Sequence, residues 1–186
     1  MVKLPVEWLT RVSLLVGLAL VLQPPLARAD SVEEINAKAL NALTILGDYV
    51  DGSEAFLRSA AGVLVFPDVV KLGFGAGGQY GEGVLLVERR PAAYYATSGA
   101  PFGLELGVQF KAEVIVFLSA DALQRFRESH SWEAGVDGTV HLARRGSGAG
   151  LDPKSIEQDI VGFVFSNEGL EQEPTFEGTR ITRLAR

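Results

Sequence analysis

Residues 62–88 read GVLVFPDVVKLGFGAGGQYGEGVLLVE, two apolar runs that enclose a glycine-rich segment. The runs at 62–66 and 83–88 are short, rich in valine and leucine, and bounded by glycine or proline, which is typical of β-strands. Between them, Gly73 begins a G-x-G-x-x-G pattern, which in a dinucleotide-binding protein leads from a strand into a helix. Here Gly81 and Gly83 would weaken a helix, and a strand-like run follows. The context therefore favours a sheet over a dinucleotide-binding turn.

The glycines alternate at Gly73, Gly75 and Gly77. If the segment is one regular strand, this alternation predicts a bare face, with Phe74 and then Tyr80 on the opposite face. A bare strand face lets another backbone, a helix or a flat ligand approach closely. Two interpretations stay open: close packing where the sheet bends sharply, or a ligand groove.

The rest of the chain predicts an α+β fold. A capping box at Ser31 begins a helix that Gly47 would end, Ser53 begins a shorter helix through Ala60, and Asp121 would cap a third. Further strand-like runs lie at 92–97, 104–110, 113–118, 135–143, 160–165 and 176–184. We expect N-terminal helices packed on a strongly twisted, mostly antiparallel sheet or partial barrel, in a single domain over residues 30–186.

Residues 1–29 have the pattern of a secretory signal peptide. Lys3 and Arg11 precede and open an apolar run, and Ala27-Arg28-Ala29 has the small residues of a cleavage site. We expect cleavage near Ala29 and a periplasmic or secreted location. The chain has no cysteine, which excludes disulfides, a thiol nucleophile and a lipoprotein acyl anchor.

The charge of the chain is acidic. It is -6 overall and becomes -8 once residues 1–29 are removed, with 14 basic and 22 acidic residues remaining. Such a surface repels nucleic acid, so we expect no nucleic-acid partner, and any phosphate contact must come from local basic clusters.

The stretch AAGVLVFPDVVKLGFGAGGQYGEGVLLVE resembles the opening block of the SYLF domain family. Members carry a Phe-Pro-x-x-x-Lys-x-Gly step and then Gly-Gly-x-x-Gly-x-Gly. Here these are Phe66-Pro67, Lys71, Gly73, Gly77-Gly78, Gly81 and Gly83. The resemblance continues through PFGLELGVQFKAEVIVFLSADAL, WEAGVDGTVHL, IVGFVFSNEGL and FEGTRITRL, and covers nearly all of the chain from about Ala37.

This resemblance implies lipid binding. SYLF domains of eukaryotes are associated with phosphoinositide-containing membranes, partly through an amphipathic N-terminal helix, and some with actin. Exported bacterial members look like lipid-binding proteins of the cell envelope. We therefore expect phospholipid, with a phosphoinositide-like or other anionic headgroup, to bind at the glycine-lined sheet surface. The expected site residues are Lys71, Gly73, Phe74, Gly75, Gly77, Tyr80, Arg89 and Arg90.

In this hypothesis Lys71 and the Arg89-Arg90 pair contact a lipid phosphate. The alternative for Lys71 is a solvated lysine at a strand edge. Arg144 and Arg145, at the entrance of the glycine-rich 146–150 loop, form a possible secondary anion site or a solvated charge pair.

The first predicted helix could lie on a membrane or cover the core. Its polar face begins with Glu33 and Glu34 and offers only Lys38 as a cation, which favours the core. A different class of function also stays open: an envelope scaffold whose glycine face packs on a protein partner or a second copy.

Catalytic patterns are lacking. His130 and His141 are not at metal-ligand spacing, and no serine lies in a G-x-S-x-G elbow. We expect no enzyme activity, no metal and no cofactor.

Overall fold

The structure of the protein is a computed structural model. It describes residues 30–73, 77–99, 107–143, 158–171 and 175–186. Several predicted features lie outside the described residues: the leader at 1–29, Phe74, Gly75, Arg144, Arg145 and the 146–150 loop.

The first helix, α1, spans Val32–Tyr49. It begins as predicted, because the Ser31 hydroxyl accepts a hydrogen bond of 3.2 Å from the Glu34 amide. Its predicted end at Gly47 is two residues early. The glycine with left-handed backbone is Gly52 (φ 81°), which turns the chain into the second helix, α2, at Ser53–Ser59.

The inner face of α1 is buried against the sheet, with Ile35, Ala39, Ala42 and Leu46 among its buried residues. These residues recur at helical spacing, which forms one apolar stripe. The helix therefore covers the protein's own core, as its weakly basic polar face indicates.

Nine strands form one sheet in the described residues. Their bounds are β1 Gly62–Gly73, β2 Gly77–Val87, β3 Arg90–Gly99, β4 Gly107–Phe117, β5 Ser131–Glu133, β6 His141–Leu142, β7 Ile160–Ser166, β8 Gly169–Leu170 and β9 Arg180–Leu184. The spatial order is β5-β9-β3-β2-β1-β4-β7-β6, and β8 pairs with β7 off this path. Every pair of strands is antiparallel except β6 with β7. The sheet is strongly curled into a half-barrel, which confirms the predicted α+β class.

Both faces of the sheet carry a hydrophobic core. On one face α1 and Phe56 of α2 pack on Val65, Val84 and Val114. On the other face the third helix, α3, at Ala120–Glu128, packs on Leu64 and the aromatic residues around it. Burial on both faces explains why the central strands have nearly continuous apolar runs.

Two sequence predictions around α3 and β4 need correction. The cap of α3 is Ser119, whose hydroxyl accepts from the Ala122 amide at 3.2 Å, and Asp121 lies within the first turn. The runs at 104–110 and 113–118 were predicted as separate strands, but Gly107–Phe117 form one continuous strand. The strand continues through residue 111, where the lysine side chain is buried inside the fold.

The run predicted as a strand at 135–143 is largely a turn. Residues 135–137 turn sharply, with Gly135 at φ 88°, and only His141–Leu142 form a strand. The Asp137 carboxylate accepts a hydrogen bond of 2.7 Å from the Glu133 amide, which stabilises the turn in place of a ladder.

Candidate functional site

The glycine-rich segment is a hairpin, not one strand. Gly73 at the end of β1 is the antiparallel partner of Gly77 at the start of β2. The predicted single regular strand is therefore wrong, although Gly73 and Gly77, as cross-strand partners, do point to the same face, opposite Tyr80; Gly75 lies outside the described residues. Alternation along the chain defines a face only within a single strand, and here the chain reverses direction between the first and the last of these glycines.

The close packing associated with strand glycines occurs further along β2. A β-bulge interrupts β1 between Val65 and Asp68. Opposite it, a Cβ atom on Gly83 would lie 2.2 Å from the Val65 carbonyl oxygen, and one on Gly81 would lie 2.9 Å from the Asp68 carbonyl oxygen. These two glycines thus allow the bent β1 backbone to approach β2.

Beyond the bulge, the neighbouring strands β2, β1 and β4 carry large, exposed apolar side chains on one face of the sheet. Val70 of β1 is the partner of Tyr80 and of Phe110, and Leu72 is the partner of Val108. Cross-strand partners point to the same face, and so do residues two apart on one strand. The exposed fractions are 46% for Leu72, 52% for Tyr80, 51% for Val108 and 66% for Phe110. We call these four residues the apolar tip.

The apolar tip lies on the same face of the sheet as α1. Along β4, Phe110 is followed at two-residue intervals by Ala112 and Val114, which α1 covers. A cleft of about 190 Å³ lies where this cover ends, lined by Lys38 and Asn41 of α1 together with Phe110. The tip is therefore a continuation of the core surface that no described helix covers.

Polar residues occupy the reverse face of the tip. Lys71 is the partner of Gln79 on β2 and of Gln109 on β4. Of the predicted lipid site, Lys71, Gly73, Gly77 and Tyr80 thus come together at one end of the sheet, with Lys71 and Tyr80 on opposite faces.

A network of charges borders the tip on the side of α1. The Tyr80 hydroxyl donates a hydrogen bond of 2.9 Å to Glu82, and Arg186 Nη2 lies 2.7 Å from the same carboxylate group. Lys38 Nζ lies within 3.1 Å of Asp30, Glu34 and Asp68. Burial, and then the bond to Glu82, raise the pKa of Tyr80, so this hydroxyl stays neutral and remains a donor at physiological pH.

Arg89 and Arg90 do not join this site. They lie at the turn between β2 and β3, at the opposite end of the eleven-residue strand β2. At about 3.3 Å per residue, this separation is roughly 30 Å, which excludes a shared headgroup with Lys71. Arg89 instead lines a groove beside α1 and α2.

An ion pair that the sequence pattern did not predict lies on the same face of the sheet as Lys71. Lys111 and Glu113 of β4 are 7% and 0% exposed, and Lys111 Nζ is 2.9 Å from Glu113 Oε1. Burial raises the pKa of Glu113, while the charge of Lys111 opposes this effect. The pair could have been predicted from the spacing K-A-E within an apolar strand, because residues two apart on a strand point to the same face.

The described residues were also searched for metal-ligating groups and for membrane-spanning helices. Within them, no group of three histidine or carboxylate side chains is placed to hold a metal ion. Nor is any helix in these parts of the chain both long and apolar enough to cross a membrane.

Comparison with known proteins adds no family to this description. No protein-family model matches the chain, and none of the curated proteins is similar to it.

Proposed function

We propose that the protein is an exported, non-catalytic lipid-binding protein of the cell envelope that attaches to phospholipid through the apolar tip. The observation that carries this proposal is the exposure of Leu72, Tyr80, Val108 and Phe110 together on one face of three strands. Contiguous exposed apolar surface of this kind is characteristic of interaction sites. The resemblance to SYLF domains, whose motif residues Lys71, Gly73 and Gly77 lie at the same end, supports a lipid as the partner.

Apolar contact supplies most of the attachment in this proposal. Fully burying an apolar side chain of this size contributes about 1.5–3 kcal/mol, whereas one lysine near an anionic membrane contributes about 1 kcal/mol. Tyr80 combines an apolar ring with a hydroxyl bonded to Glu82, and such side chains suit the boundary between lipid and water. Because apolar contact outweighs the contribution of charge, we expect binding to depend only weakly on salt.

Sedimentation with phospholipid vesicles tests the proposal. The full chain, expressed with its own leader and purified, is compared with the double variant Leu72→Ser/Phe110→Ser. The matched control is Val136→Ser, since Val136 is 75% exposed and lies in the turn after β5, a strand that β9 and β3 separate from Tyr80 of β2. We expect the double variant to lose most vesicle binding and the control to retain it. Equal sedimentation of all three proteins would show that the tip does not bind lipid.

The role of Lys71 is tested separately with Lys71→Gln and vesicles of two compositions. We expect binding to anionic vesicles to fall and binding to neutral vesicles to stay unchanged. An equal effect on both compositions would exclude a headgroup contact by this lysine.

A second candidate function is assembly with a second copy of the chain. On β4, the residues that pair with β7 are Ala112–Phe117. Within the described residues, the Gly107–Lys111 segment of β4 therefore has a partner strand, β1, on one side alone. An open strand edge next to exposed apolar residues is a site for strand addition. Analytical ultracentrifugation without lipid distinguishes the two: a dimer that Leu72→Ser/Phe110→Ser dissociates would favour assembly.

A further inference from the structure

A groove lies between the two N-terminal helices and the far end of the β1–β2 pair. Its volume is about 520 Å³, within the range of about 300–1,000 Å³ that is usual for small-molecule sites. Its apolar lining comes from all four elements: Leu40 and Leu43 of α1, Leu57 of α2, Val63 of β1 and Leu86 of β2. Leu40 is 60% exposed, so the apolar surface is open to a ligand from solvent.

Two arginines lie at this groove, and they differ in their partners. Arg58 of α2 forms an ion pair with Glu54 one turn earlier in the same helix. Glu54 and Glu88 also line the groove, but the Arg89 side chain forms no ion pair or hydrogen bond with either of them or with any other described residue. A guanidinium group without a counterion beside an apolar groove is suited to a carboxylate or phosphate group.

The turn that holds Arg89 has an unusual backbone. Glu88 and Arg89 both have positive φ, 51° and 64°, in a two-residue hairpin turn. This turn normally takes Asn-Gly or Gly-Gly, because other side chains are disfavoured at left-handed positions. The chain therefore accepts a less favourable residue at the position where Arg89 lines the groove.

We propose that the groove binds a single-chain anionic amphiphile, with its apolar chain along Leu43, Leu57 and Leu86 and its anionic group on Arg89. The site is distinct from the apolar tip, because the length of β2 separates them. A free fatty acid and a lysophospholipid share this chemistry, and the experiment includes both.

The test measures binding of a dansyl-labelled fatty acid to the full chain by fluorescence titration. Palmitate and lysophosphatidate serve as competitors, and methyl palmitate serves as a neutral competitor of the same chain length. We expect one or both anionic competitors to displace the probe and methyl palmitate to be at least about tenfold weaker. Displacement by palmitate alone, or by lysophosphatidate alone, identifies the headgroup class. Equal competition by the neutral ester would overturn the anionic site.

Two pairs of variants locate the site. Arg89→Glu should weaken probe binding by about tenfold or more, while Arg90→Glu, one residue away and not part of the groove lining, should not. Thr44, an exposed groove residue of α1, gives the second pair: Thr44→Trp fills the groove and should abolish binding, whereas Thr44→Ala should retain it. Equal binding by Arg89→Glu and Arg90→Glu, or full binding by Thr44→Trp, would overturn the proposal.

The two binding proposals, for the groove and for the apolar tip, can be contradicted independently of each other. Leu72→Ser/Phe110→Ser should lose vesicle binding and retain the probe, and Arg89→Glu should show the reverse. If the tip variant also lost the probe while retaining native circular dichroism, the two sites would not be separate and the groove proposal would be wrong.

Discussion

Lys111 and Glu113 form a buried ion pair two residues apart on β4, with Nζ and Oε1 2.9 Å apart. The contact is a charge pair, since neither Glu113 oxygen has a hydrogen-bond partner of good geometry in the described residues. Val69 of β1 is the antiparallel partner of Lys111, and Phe66 is the partner of Glu113. The pair therefore lies among apolar neighbours, where an isolated charge is costly.

Removal of one partner should destabilise the fold strongly. We expect Lys111→Met to lower the free energy of unfolding by about 3–5 kcal/mol, because Glu113 is left buried without a counterion. The double variant Lys111→Met/Glu113→Leu should recover most of this loss, since a buried ion pair and an apolar pair of similar size differ little in stability. Urea denaturation measures all three proteins. Equal stability of Lys111→Met and the wild type would show that the pair is not buried in solution.

The same pair gives a pH dependence with a defined sign. Burial raises the pKa of Glu113 above its usual value of 4.5, so the folded state binds the proton more tightly than the unfolded state. The carboxyl group is therefore protonated at low pH, where there is no cost of a buried charge, and stability is lost as the pH rises through 4.5 towards the folded pKa.

Glu113→Gln isolates this effect from that of the other acidic residues. We expect the free energy of unfolding of the wild type, minus that of Glu113→Gln, to fall as the pH rises above about 4.5. Direct titration of the Glu113 carboxyl by NMR provides a second measurement that needs no variant. A carboxyl that titrates at or below its usual value would contradict the prediction.

The pattern of residues predicted most of the fold. The capping box at Ser31, the apolar runs at 62–66 and 83–88, and the helix before Ser129 have local signals, because capping and alternation depend on neighbours in sequence. The curled, largely antiparallel sheet follows from many short strands.

The candidate site could not be predicted from the sequence in the same way. Leu72, Tyr80 and Phe110 form one surface only because Val70 pairs with two strands at once, and pairing between distant segments has no local signal. The same limit applies to Arg89, whose groove is completed by α1 and α2.

Two glycines of β2 should respond differently to the same substitution. A Cβ atom on Gly83 would lie 2.2 Å from the Val65 carbonyl oxygen, so the backbone of β1 must move. On Gly78 the nearest atom would be 3.8 Å away, an ordinary contact. We expect Gly83→Ala to cost about 1–3 kcal/mol, as overpacking does, and Gly78→Ala to be neutral or slightly stabilising. Urea midpoints compare the two, and equal effects would contradict the close approach at the bulge.

The apolar tip should contribute little to stability. Leu72 and Phe110 are 46% and 66% exposed, so their replacement by serine removes little buried area. We expect Leu72→Ser/Phe110→Ser to change the free energy of unfolding by no more than about 1 kcal/mol. By contrast, Phe163→Ala, at a fully buried position of β7, should cost about 3–5 kcal/mol. A large loss in the tip variant would indicate that the tip is covered in solution.

Lys38 joins the first helix to the bulge of β1. Its Nζ lies 2.8 Å from Asp30, 3.1 Å from Glu34 and 3.0 Å from Asp68. Hydrogen bonds to Asp30 and Asp68 raise the pKa of Lys38, so its stabilising effect is fully present below 10.5 and is lost only as the pH rises through the higher folded value. The side chain is 36% exposed, and solvent weakens these pairs.

We expect Lys38→Met to lower the free energy of unfolding by about 1 kcal/mol in dilute buffer, since three carboxylates are then left close together. Molar salt should reduce this difference, because it screens partly exposed charges. The matched control is Arg58→Met, which removes a single exposed pair within α2 and should have a smaller effect. Thermal or urea denaturation at two salt concentrations provides the measurement. If Lys38→Met cost no more than Arg58→Met at low salt, the three contacts would not act together in solution.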